Sequence, residues 1–326
     1  MRPLLGLGAV LALSAAAPDT GDRRAILRTL AAQDASVAAI GTRLQVAAQN
    51  LGRDRGWASG MTVQALSQFG RDYRSDARSM FGFADRPIVF VVVPGGAAAR
   101  AGLRTGDGIL AIDGTATQIV RDDGPATVTD SDVATALLER ALQDGTATLV
   151  VDRHGQRSEH ILRGDPACPA RFEVRAGSDK NASADAVRVQ ISSDLVDPAR
   201  AREDVAPVVA HEFAHIILRH PQTLARSFRG LLPGFGKNGA AIRASEIAAD
   251  RVSLYLLDRA GYSADDAVAF WTKFLRANDL GILSDRTHPD WKTRVTALQA
   301  ELARLKAVKA SGRPVDPPAD LLTPSR

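Results

Sequence analysis

The sequence predicts an α+β fold of two units: a mainly helical domain with a small sheet, interrupted by a β-rich domain. Three observations carry that expectation. Apolar residues recur at helical spacing from Asp22 to about Asn50 and again beyond Asp204. Between them, from Phe83 to Arg163, β-branched runs alternate with glycine-bearing turns. At 326 residues, 45% hydrophobic and 24% charged, the chain has room for about two domains and a sizeable core.

The elements follow in chain order. Met1 and Arg2 precede the apolar run Leu4 to Leu13 and the small residues Ser14, Ala15, Ala16 and Ala17, which is the pattern of a signal peptide over residues 1–17. The run falls short of the roughly 20 residues that cross a bilayer, and no Cys follows it to accept a lipid. No later stretch reaches that length either. The expectation is an exported, periplasmic protein with no transmembrane segment once the leader is removed, the alternative being an uncleaved anchor. Cys168 is the single cysteine, so no internal disulfide forms, and a buried bystander thiol is its expected role. The net charge of +4 comes without clustered Lys/Arg runs, and aromatics are only 5% of residues, so a nucleic-acid partner is set aside.

Ile26, Leu27, Leu30, Val37, Ile40, Leu44 and Val46 place one long helix, or a helical pair broken at Gly41, at the head of a helical segment over 22–82. Leu51 to Phe83 shows no usable period. Pro87 to Val93 then reads as a strand, Ala97 to Arg100 as a helical turn and Gly108 to Ile112 as a strand closed by Asp113-Gly114. A helix from about Asp130 to Gln143 and two strands, Ala147 to Arg153 and Ser158 to Arg163, complete the unit. The stretch V-V-V-P-G-G-A-A-A-R-A-G-L-R-T-G-D-G-I-L-A-I-D-G resembles a PDZ domain, here assigned to 83–164. That resemblance implies a peptide ligand, often a free C-terminus, added as a strand to a sheet edge beside a helix. Phe81-Gly82-Phe83 is the candidate carboxylate nest; a spacer or a shield over another site is the alternative role for the domain.

Arg171 to Ala176 and Ala186 to Ile191 alternate as strands of a small sheet around the turn Gly177 to Asn181. A helix follows, with Asp204 as cap, Pro207 in its first turn and Pro221 as its stop after His220. It carries His211-Glu212-Phe213-Ala214-His215, an H-E-x-x-H motif. Two His four apart on a helix are offset by only about 40°, so one metal ion bridges both imidazoles. His220 falls about 180° around a continuous helix from His211 and is expected to face away. Leu218 and Pro221 stand where the longer metzincin motif has Gly and a third His. A second helix, from Ser245 to Leu257, puts Glu246 and Asp250 on one face. By itself such a pair reads first as an exposed acidic face; beside H-E-F-A-H the reading reverses, with Glu246 the candidate third ligand and Asp250 the acceptor of a ligand imidazole's second N–H.

H-E-F-A-H, then E-I-A-A-D, then His288-Pro289 followed by Arg294 resemble, in that order, the HtpX-like and CAAX prenyl protease-type gluzincin metallopeptidases. The resemblance covers about Ala170 to Leu305. It implies a mainly helical zincin-type core over 168–308, with the PDZ domain as an insertion, and one Zn2+ held by His211, His215 and Glu246. Glu212 would be the general base, while His288 or Arg294 either stabilises the tetrahedral oxyanion or only pins the last helices together. Membrane-embedded relatives have spanning helices that this sequence lacks, which argues against a bilayer-buried substrate. The expected function is a zinc metalloendopeptidase acting on protein or peptide substrates, such as misfolded or envelope proteins. The rivals are a catalytically silent PDZ adaptor and a metal-dependent peptidoglycan amidase. Arg226 to Lys237 is a lid, a connector or a membrane-grazing loop, and 309–326 is expected to be a disordered tail.

Overall fold

The structure, a computed structural model, describes residues 20–52, 54–120, 123–177, 181–196, 205–227, 236–277 and 289–322. The leader, Asp204, most of the lid-or-connector segment and His288 lie outside those residues. The first half of the chain runs α1 (Thr20–Ala47), β1 (Gly56–Ala58), β2 (Met61–Gln64), α2 (Arg71–Phe81), β3 (Ile88–Val92), α3 (Ala97–Arg100), β4 (Gly108–Ile112), β5 (Thr115–Ala116), α4 (Thr129–Ala141), β6 (Thr146–Arg153), β7 (Gln156–Arg163) and β8 (Asp165–Ala167). The second half runs β9 (Arg171–Arg175), β10 (Ala182–Ala184), β11 (Arg188–Ser192), α5 (Ala206–Ile217), α6 (His220–Ser227), α7 (Gly236–Arg259), α8 (Ala264–Ala277), α9 (Trp291–Ala310) and α10 (Ala319–Leu322).

The β-rich unit is an antiparallel sheet in the order β2-β3-β4-β6-β7, with β5 on β4. Its hairpins turn where the sequence requires, at Asp113-Gly114 and His154-Gly155, whose left-handed φ values of 43°, 74°, 55° and 82° match the twist of the flanking strands. Val63, Val89, Ile109, Ile112, Leu138, Leu149, Val151 and Leu162 form its core, with α4 supplying Leu138. The first strand of this sheet, β2, comes from the aperiodic stretch, so the unit reaches outside 83–164. The expected helical segment over 22–82 is thus interrupted by β1 and β2, while α2 returns to pack on α1. β1 pairs with β8, Gly56 opposite Ala167, so the chain enters and leaves the unit side by side. That is the geometry an insertion needs.

α1 is a single 28-residue helix; Gly41 neither breaks nor kinks it into a pair. A Cβ at Gly41 would lie 2.4 Å from Phe172 Cγ, so the missing side chain is what lets the β9 ring rest on the helix backbone. Phe172 in turn meets Phe213 of α5 edge-on, with ring centroids 5.4 Å apart. The small sheet has the order β10-β11-β9, with β9 and β11 parallel and β10 antiparallel at the far edge. Val37, Ile40 and Leu44 of α1, the apolar residues of α5 and Leu254 to Leu257 of α7 share one core. The described part of the tail is ordered against it: Leu321 is buried in that core and Asp316 pairs with Arg259. Apolar Val315 and Leu321 between the prolines were enough to dock it. Among the described residues no helix is long and apolar enough to cross a membrane.

Candidate metal centre

α5 begins after Val205, with no side-chain cap and with Pro207 in its first turn, where a missing N–H leaves no carbonyl unpaired. Val208, Val209, Ala210, Phe213, Ala214, Ile216 and Ile217 are all buried, so this helix runs through the core and is apolar on most sides. His211, only 4% exposed, is the exception. A polar ring in such surroundings must have partners, and α7 provides them.

His211 Nε2 and His215 Nε2 are 3.2 Å apart. The two Glu246 carboxylate oxygens lie 3.5 Å from them, Oε2 from His211 and Oε1 from His215. Donors about 2.0–2.2 Å from a tetrahedrally bound zinc stand roughly 3.3–3.5 Å from one another. The two His-to-Glu246 spacings fall in that range and the His-to-His spacing just below it, and all three residues offer their atoms within 4.8 Å of one another. The donor set, two imidazoles and one carboxylate, suits zinc and leaves a coordination position for water.

Behind the donors sits a fully buried carboxylate. Asp250, 0% exposed, holds His211 Nδ1 at 2.9 Å, although the N–H does not aim squarely at the oxygen. On its other side Arg294 grips it with two parallel bonds, Nε to Oδ2 and Nη2 to Oδ1, both 2.7 Å. The guanidinium lies over Trp271, 5.2 Å from the ring centroid, and Trp271 also packs 5.4 Å from the His211 ring. Arg294 is thus engaged in holding Asp250, which favours the pinning role over the oxyanion role left open above. Glu212 lies near enough to Arg294 to help raise its pKa.

His220 does not face away. α5 ends at Ile217, Arg219 takes a left-handed φ of 56°, and α6 starts afresh with Pro221 in its first turn. The break swings His220 Nδ1 to 3.0 Å from His215 Nδ1. The second nitrogen of each candidate ligand ring is therefore met: His211 by Asp250 and His215 by His220. Pro221 directly after a His was the available signal, since proline opens a helix as readily as it ends one.

The titration of these groups follows from the packing. Burial works against charge on His211, but the hydrogen bonds to Asp250 and Glu246 outweigh it and push the ring up to about 10. Burial, reinforced by charge on His211, pulls His215 down to about 3, and burial with His211 lowers His220 to about 4. Burial raises Asp250 while Arg294 and His211 lower it further, leaving it below the ordinary carboxylate value.

Comparison with known proteins bears on the other unit. A PDZ-domain family model matches residues 88–126. No curated protein matches the chain. Among solved structures, an HtrA-type protease AlgW with decapeptide aligns at 26% identity over 35% of this chain and 30% of that one, with a TM-score of 0.24, so the chain spans less than a third of that protein's length. The matched segment opens on β3 and takes in α3, β4 and β5, which occupy their places in the antiparallel sheet: the chain carries a PDZ domain.

Proposed function

We propose that the chain is an exported, periplasmic zinc metalloendopeptidase whose PDZ domain engages protein or peptide substrates. The observation that carries the reading is the convergence of His211 Nε2, His215 Nε2 and the Glu246 carboxylate at 3.2 to 3.5 Å, with outer partners already in place. His211, His215 and Glu246 would hold the ion. When bound, it supplies a water acidified toward neutral pH and an electrophile for the scissile carbonyl. Glu212, next to a ligand and near enough to Arg294 to help raise its pKa, would be the general base that takes a proton and returns it to the leaving amine. Asp250 and Arg294 keep the His211 ring in one tautomer and one orientation. No role is assigned to His288.

Metal content and casein hydrolysis of the mature chain, beside Glu212→Gln and Glu246→Ala, test this. One zinc with cleavage, zinc without cleavage in Glu212→Gln and loss of zinc in Glu246→Ala is the expected pattern. A wild-type chain that binds no zinc and cuts nothing would leave a PDZ peptide-binding protein.

A further inference from the structure

Beside the three candidate ligands and the Asp250–Arg294 pair, the cluster holds one more ring that the proposed chemistry does not use, His220. It is half-buried at the first residue of α6, and its backbone is fixed from several sides. The Arg219 N–H bonds Ile216 O, Arg219 O accepts from the Thr223 N–H at 3.0 Å, and the Arg219 guanidinium pairs with Asp54. The His220 ring stands edge-on to His215, with centroids 4.9 Å apart and planes 72° to one another.

Which atom it meets decides what it can do. His215 Nε2 is the inner nitrogen, 3.2 Å from His211 Nε2 and 3.5 Å from Glu246 Oε1. His220 Nδ1 lies instead on the outer nitrogen, 3.0 Å from His215 Nδ1. His220 is therefore not a further ligand at the point where the other three converge. A contact of 3.0 Å between two ring nitrogens takes one N–H and one lone pair. A His215 ring that offers its Nε2 lone pair to a cation carries its proton on Nδ1, so His215 donates and His220 accepts. The acceptor behind a ligand imidazole is ordinarily a carboxylate, a backbone carbonyl or water. His211 has the carboxylate of Asp250, whereas His215 has a second imidazole.

We infer that His220 is a positioning residue for the candidate metal centre: by accepting the Nδ1–H of His215, it fixes that ring in the tautomer and rotation that turn Nε2 toward His211 and Glu246. The inference rests on the zinc reading above. Without this acceptor the His215 ring is free to turn about its Cβ–Cγ bond or to hold its proton on Nε2, and either change removes one of the three donors.

Zinc affinity of the full mature chain, measured by competition with a chelator, separates hydrogen bonding from packing when His220→Phe and His220→Asn are compared. Phe fills the space and accepts nothing, while Asn carries an oxygen on Cγ, where His carries Nδ1. His220→Phe is expected to bind zinc about 10–100-fold more weakly, and His220→Asn to stay close to wild type. By NMR of the zinc-loaded chains, the His215 Nδ1–H should exchange slowly with solvent in wild type and His220→Asn, and rapidly in His220→Phe. Urea denaturation of the metal-free chains should not follow that order. Equal zinc affinity in wild type and both variants would overturn the inference and leave the zinc reading standing. Losses in both variants that track their metal-free stability would also overturn it, by making His220 a packing residue only. A wild-type chain that binds no zinc would remove the zinc reading and this inference together.

Discussion

Replacing Arg294 with Ala would leave Asp250 in a site with 0% exposure, with only the angled contact to His211 to hold its charge. Two charge-assisted bonds of 2.7 Å are lost at once. Removing one partner of a buried ion pair costs about 3–5 kcal/mol, because the other charge stays desolvated. Arg294→Lys keeps the charge but not the fork, so it should cost about 1.5–3 kcal/mol, the range for losing one charged hydrogen bond. Urea denaturation of the metal-free protein at pH 7 measures both. The pH dependence has a definite sign. The Asp250 pKa is depressed below its ordinary 3.8, so its contribution is present above that value and disappears as pH falls through the lowered one. The gap between wild type and Arg294→Ala should therefore narrow in acid. Because Asp250 orients His211, zinc affinity should also fall by about 10–100-fold. If Arg294→Ala kept its stability and its zinc affinity and lost only kcat, Arg294 would be the oxyanion partner and the positioning argument would fail.

Three further outcomes are expected. Gly41→Ala should gain about 1 kcal/mol of helix propensity yet lose more by overpacking, about 1–3 kcal/mol, because its Cβ meets the Phe172 ring at 2.4 Å; Phe172→Leu in the same chain should recover part of the loss in thermal melts. Asp34, half-buried, accepts from the Gln64 side-chain amide and the Val174 N–H, and desolvation raises its pKa from 3.8 to about 7. Its contribution is then complete below pH 3.8 and is lost as pH rises through about 7, up to about 4 kcal/mol. Asp34→Asn should flatten stability over that window, and unchanged pH dependence would refute the assignment. Cys168 is buried, with its thiol pushed up to about 12 mainly by burial, so it should stay unreactive to Ellman's reagent in the native state and titrate as one thiol in urea.

The PDZ hairpins were legible because their determinants are local: Asp113-Gly114 and His154-Gly155 set the turns and the β-branched runs beside them have the strand period. β2 was not legible, since four residues after Gly60 carry too little period and are defined by pairing with β3 far along the chain. The carboxylate nest assigned to Phe81-Gly82-Phe83 failed for a similar reason. Gly82 is the left-handed cap that ends α2, its N–H on Arg78 O, and the flanking rings pack with Phe69 and Phe90. The open strand edge lies at 61–64 instead.

For the candidate metal site, the donors could be read because helical spacing alone puts His211 beside His215 and Glu246 on the same face as Asp250. The support could not. Whether a buried Asp is held by Arg294, and whether Arg294 rests on Trp271, depends on how α7, α8 and α9 pack, and no spacing within one helix encodes that. His220 makes the point most sharply. Its distance from His215 turns on one backbone torsion, the left-handed φ of 56° at Arg219. A non-glycine residue holds that conformation only where its surroundings compensate. Here the turn bonds the Arg219 N–H to Ile216 O and starts α6 at once. A helix continued through Arg219 would have carried His220 to the far side; the break brings it against the ring of a candidate ligand, so the length of α5 is itself part of the site.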